Sequence, residues 1–98
     1  MTINKTENGN ELTLTLIGRL DTVTSPSLEA EISCISNITT LIFDLSELDY
    51  TSSAGLRVLL VAQKKMNSNK GKMIIRNVSP AVMEVFDITG FSDILTIE

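Results

Sequence analysis

Histidine and tryptophan are absent from the 98 residues, cysteine occurs once, at Cys34, and three Phe and one Tyr are the only aromatics. Without histidine a Ser-His-Asp triad is impossible, and so is any His-containing metal site. A lone cysteine forbids an intrachain disulfide and agrees with a reducing compartment. Scattered carboxylates and one thiol do not make a zinc or iron site. No run of about 18 apolar residues exists, so no membrane-spanning helix is expected. Met1 to Thr6 lacks the apolar region of a signal peptide, and a cytoplasmic protein without membrane insertion is expected. Asn69-Lys70-Gly71-Lys72 lacks the spacing of a phosphate-binding glycine loop. No linker, low-complexity tract or strong repeat interrupts the chain, which predicts one domain over residues 1–98.

What is present suffices for a single core, since 43% of residues are hydrophobic and 20% charged. The net charge of −4 argues against general nucleic-acid binding. It is unevenly spread: residues 50 to 83 hold Arg57, Lys64, Lys65, Lys70, Lys72 and Arg76 with no acid, while the rest carries two basic and twelve acidic residues. Either Lys64 and Lys65 complement a helix C-terminus and the others sit on loops, or the stretch is a docking face for an acidic partner. Only Tyr50, at its edge, offers a ring for base stacking, so no nucleic acid is expected.

Along the chain, Thr2 to Thr6 reads as an edge strand and Asn8-Gly9-Asn10 as a turn. Glu11 to Ile17 alternates with period two, completing a hairpin. Ser25-Pro26 supplies a cap and a proline at the first helical position, with Leu28, Ile32, Ile35 and Thr39 on one face. Leu41 to Leu45 is a continuous apolar run of the kind a strand buried on both faces requires, ending at Ser46-Glu47-Leu48-Asp49. A buried helix follows from Ser53 to about Asn67, then a strand at Met73 to Ile75. Ser79-Pro80 opens a third helix with Val82, Val85 and Phe86 inward and Gly90 as its stop, and Phe91 to Ile97 is expected as a last short strand. This order predicts an α/β fold with a mixed, mostly parallel sheet. Cys34 is expected to be a partly buried space-filler, and Met66, Met73 and Met83 core packing.

Tyr50-Thr51-Ser52-Ser53-Ala54-Gly55-Leu56-Arg57 joins the central strand to its helix. A serine there sits over unpaired backbone N–H groups and the positive end of the helix dipole, a seat for an anion such as a phosphoryl group. Counting 100° per residue, Ser53, Arg57 and Lys64 share one polar strip, so Arg57 is placed to bond a group on Ser53. Alternatively, Ser53 is only a helix N-cap, worth about 1 kcal/mol, and Arg57 is a solvated helix residue. Ser53 and Gly55 faintly resemble a nucleophile elbow, but position 51 is Thr rather than Gly, and no catalyst is expected. Asp44, Glu47 and Asp49 are the one carboxylate cluster that a weakly held Mg²⁺ would use; the alternative is ordinary strand-end solvation.

Gly18-Arg19-Leu20-Asp21-Thr22, then Leu41-Ile42-Phe43-Asp44-Leu45-Ser46, then Tyr50 to Leu60 resemble in order the signatures of the STAS domain family. The match is nearest to its free-standing bacterial members, the anti-sigma factor antagonists, and spans nearly the whole chain. The third motif in that family usually reads Asp-Ser-Ser/Thr-Gly-Leu, its first serine being phosphorylated by a partner kinase. Aligned on Gly55-Leu56, that serine is Ser53, while Ser52 replaces the usual Asp and Ala54 the second hydroxyl residue.

The resemblance implies a partner-switching module without a cofactor of its own. Its unphosphorylated form binds an anti-sigma factor that is also a serine kinase and so releases the sigma factor. Phosphorylation of Ser53 ends that association, and a serine phosphatase restores it. Asp21, Thr22, Ser52, Ser53, Ala54, Gly55, Leu56 and Arg57 are the partner-binding positions so implied, although Asp21 also suits a simple turn cap. Two other readings stay open: a STAS subunit of a membrane lipid-transport ABC complex without a phosphoryl cycle, and a nucleotide-binding STAS module.

Overall fold

Leucine alternates with polar residues along Glu11–Leu20, so one side of this strand buries Leu12, Leu14 and Leu16 while Thr13 and Thr15 turn to the other. The computed structural model describes residues 1–98. Its strands are β1 (Thr2–Asn8), β2 (Glu11–Leu20), β3 (Thr40–Thr51) and β4 (Lys72–Arg76), and its helices α1 (Ser25–Ser33), α2 (Ser53–Ser68) and α3 (Pro80–Thr89). The sheet order is β1-β2-β3-β4, with β1 antiparallel to β2 and the other two pairings parallel. Gly9, at φ 64°, turns the hairpin.

Register builds the core. Leu12, Leu41 and Met73 form one row and Leu14, Phe43 and Ile75 the next. These residues join Leu28 and Ile32 of α1, Leu56, Leu59, Ala62 and Met66 of α2, and Val82 and Phe86 of α3 in a single core cluster. Ile42 is the one buried hydrophobic outside it, in a row with Thr13 and Ile74 on the opposite face.

Several boundaries differ from the sequence expectation. β3 does not end at Leu45; it runs on to Thr51 because β2 continues beside it to Leu20. Two register shifts, between Thr15 and Ile17 and between Gly18 and Arg19, each place an extra β3 residue against β2. Inward positions on β3 thus fall at Leu45, Leu48 and Thr51, a spacing that strict alternation does not reveal. The expected final strand is instead a short 3₁₀ helix, Phe91–Asp93, because the N–H groups of Asp93, Ile94 and Leu95 bond back to Gly90 and Phe91. Only Ile97 pairs with the sheet, opposite Ile75. Thr24, not Ser25, holds the N-cap position of α1, without a side-chain capping bond, and the helix ends at Ser33, leaving Ile35 buried beyond it and Thr39 exposed. Cys34 is exposed at the helix end. Lys65 reaches across to α1, where its Nζ donates to the Ile32 and Ser33 carbonyls at 2.8 and 3.3 Å. Met66 and Met73 are buried, with Met83 packed partly buried against the core. No helix is long and apolar enough to cross a membrane.

Candidate functional site

β2 and β3 end side by side, and the segments that leave them start α1 and α2 at the same end of the sheet. This is where open α/β sheets gather their functional groups. The two helix starts are completed differently.

Before α1, the chain satisfies itself. Asp21 Oδ1 accepts from the Val23 and Thr24 N–H groups at 3.0 and 3.1 Å and from Thr24 Oγ1 at 3.2 Å. The single Thr24 hydroxyl proton is shared with the Arg19 carbonyl, at 2.8 Å, and the Ser25 N–H bonds the Asp21 carbonyl at 2.8 Å. Asp21 is therefore a turn cap that shapes the loop. The Thr24 N–H, then the Thr24 hydroxyl, the Val23 N–H and the nearby Arg19 charge hold its carboxyl below the ordinary 3.8. Thr22 and Val23 stand exposed on this loop, Val23 at 85%.

Before α2, the chain leaves its donors open. Ser52, extended at φ −117° and ψ 178°, is the N-cap by backbone, but its side chain makes no capping bond. Its N–H donates to the Leu20 carbonyl at 3.1 Å and its carbonyl accepts from Leu56 at 3.0 Å. The N–H groups of Ser53, Ala54 and Gly55 have no acceptor within the chain, and the buried Ser52 Oγ is likewise unpartnered. Ser53 is thus the first helical residue rather than the cap, exposed above three free donors.

The remaining residues of the motif divide between building and lining the site. Gly55 and Leu56, which the resemblance implies as contact positions, are buried and seat α2 on the sheet. A Cβ on Gly55 would lie 2.5 Å from Thr51 Oγ1, 2.7 Å from Leu20 Cγ and 2.9 Å from the Leu20 carbonyl oxygen. Ser52 and Ala54 are half-buried. Arg57 is exposed, as its strip position predicts, but its guanidinium is turned to Glu29 of α1 at 3.8 Å. Sequence reasoning missed Glu29 because its meeting with Arg57 depends on the packing of α1 against α2. It also missed the pairing of Arg19 with Tyr50, whose ring lies 4.3 Å beneath the guanidinium. Arg19 also stands 3.6 Å from Asp21 Oδ2.

No group of three potential ligands is placed to hold a metal, which removes the Asp44, Glu47 and Asp49 set. Asp44 Oδ1 instead accepts from the Ser46 N–H at 3.0 Å and Asn77 Nδ2 at 3.2 Å. Those bonds, the Ser46 N–H foremost, and the charge of Arg76 lower its carboxyl below 3.8. Because Asp21 and Asp44 are both depressed, their contribution is present above the unfolded value and is lost as pH falls through the folded one. Urea unfolding should show stability falling between about pH 5 and about pH 3, and falling less in the Asp21→Asn, Asp44→Asn double variant. An equal fall in both would assign the acid sensitivity to other carboxylates.

The STAS domain family model matches residues 2–98. BtrV of Bordetella bronchiseptica is 36% identical over 84 residues, covering 84% of this chain and 72% of that protein. The anti-sigma-B factor antagonist of Bacillus subtilis is 27% identical over 92 residues, covering 93% and 84%. Among solved structures, an anti-sigma factor antagonist from Mycobacterium paratuberculosis superposes with a TM-score of 0.86 at 23% identity, covering 98% of this chain and 83% of that one. Unphosphorylated SpoIIAA gives 0.79 at 22% identity, covering 99% and 87%. The sequence match over nearly every residue and the shared strand and helix order agree: this chain belongs to the STAS domain family.

Proposed function

We propose that this protein is an anti-sigma factor antagonist whose binding to an anti-sigma factor with serine kinase activity is switched off by phosphorylation of Ser53 and restored by a serine phosphatase. The observation that carries this reading is the exposed Ser53 hydroxyl at the first position of α2, above the unpaired N–H groups of Ser53, Ala54 and Gly55. The names of the similar proteins support the same class of function.

The chemistry is a contrast between local and interfacial costs. A phosphoryl group adds about −1.5 to −2 charge, and the helix end offsets part of its local cost by ~0.3 to 1 kcal/mol. The exposed position lets the fold accept the group without rearrangement. Arg57 sits one turn along the same face, so a phosphoryl group on Ser53 competes with Glu29 for its guanidinium. At a docked interface the same charge is desolvated, and the complex separates.

Incubation with the cognate kinase and ATP should add one phosphoryl group, and phosphopeptide mapping should place it on Ser53. The orphaned Ser52 Oγ is the rival acceptor, but it is buried. Labelling at Ser52, or full labelling of Ser53→Ala, would overturn the assignment.

A further inference from the structure

The two edges of the sheet are finished differently. Outside β4, the Ile75 N–H donates to the Thr96 carbonyl and its carbonyl accepts from the Glu98 N–H, both at 2.9 Å, so the C-terminal segment covers that edge. Outside β1 lies no strand. β1 pairs with β2 over its whole length, from Thr2 opposite Ile17 to Asn8 opposite Glu11, with no register shift and no proline. Its outer row of N–H and C=O groups is a straight template for another strand, without the bulge or proline that usually blocks one.

We propose that β1 is the docking edge for a second copy of this chain, paired antiparallel about a two-fold axis at Thr6, with Lys5 of each copy opposite Glu7 of the other. Lys5 and Glu7 lie opposite Leu14 and Leu12, hence on the helix-bearing face, while Thr6, opposite Thr13, points to the other. With the helices of both copies on the same face, the neighbouring registers oppose Lys5 to Lys5 or Glu7 to Glu7. The Thr6-centred register replaces both repulsions with attraction, and it sets Thr6 against Thr6 and Asn4 against Asn8 on the far face. The charges also call for it. Lys5 is held 3.1 Å from Glu31, whereas Glu7 has no cation within ion-pair distance in its own chain. Around this edge two carboxylates share one ammonium, and the second copy brings its Lys5 to the unmatched Glu7. The pairing leaves the Ser53 surface free, because Thr13, the partner of Thr6, lies roughly 23 Å along β2 from Leu20.

Sedimentation velocity of the whole chain over a concentration series tests this. The wild type should show a monomer–dimer equilibrium. Lys5→Glu and Glu7→Lys, both at exposed positions, should each weaken it about tenfold or more, and the double exchange should recover most of the loss. Thermal melting by circular dichroism establishes that each variant is folded. A wild type that stays monomeric up to about 1 mM overturns the proposal. So does a dimer indifferent to both single exchanges, or a double variant no tighter than the singles.

Discussion

Replacing Gly55 by alanine should destabilise the protein by about 2 to 3 kcal/mol, although alanine is the better helix former by about 1 kcal/mol. The added methyl would meet Thr51 Oγ1, Leu20 Cγ and the Leu20 carbonyl oxygen at 2.5 to 2.9 Å, distances that real Cβ atoms do not adopt. Leu20 and Thr51 are buried, and the Leu20 carbonyl already accepts the Ser52 N–H, so none of the three can yield cheaply. Relief comes by lifting the first turn of α2 away from the end of β2, which stretches the Ser52 to Leu20 bond and displaces Ser53. Urea denaturation measures the loss, and partner affinity should fall with it because the same movement misplaces the site. A stability gain of the size set by helix propensity would show that the junction has room the geometry denies.

Ser53→Asp should weaken binding to the anti-sigma factor kinase by two decades or more, about 2.7 kcal/mol, whereas Ser53→Ala should leave it nearly unchanged. Alanine removes one exposed hydroxyl and leaves the half-buried Ala54 and the buried Leu56 in place. Aspartate introduces a charge that the open helix end tolerates in the free protein but that docking strips of water. Titration calorimetry on both variants decides the matter. Equal affinities would remove the electrostatic switch from the proposed function.

Patterns carried by neighbouring residues were legible in the sequence. The Leu12, Leu14, Leu16 alternation, the start of α2 at Ser53, and the Ser79 cap with Pro80 and the Gly90 stop all appear in the structure. The extension of β3 to Thr51 was not legible, because extra residues at two register shifts exist only relative to β2. Nor was the short 3₁₀ helix, since Phe91 to Ile97 carries β-prone residues whose donors are taken locally once Gly90 turns the chain. At the candidate site, the exposed place of Ser53 at the start of α2 followed from one motif. The Asp21 turn was one of two readings, and its bonds to Val23 and Thr24 favour the cap. Arg57 facing Glu29 and Arg19 stacked on Tyr50 needed tertiary knowledge, because each joins segments distant in sequence.

A single residue, Ser52, separates the last residue of β3 from the first of α2. No loop therefore lies at the junction to be frozen when a partner docks, and the ordering cost of about 0.5 to 1.5 kcal/mol per mobile side chain that flexible sites bear is small here. In the proposed switch, the free protein then has no slow rearrangement between its two states. How quickly its output follows a signal is set by the turnover of the enzymes that add and remove the phosphoryl group and by the lifetime of the complex.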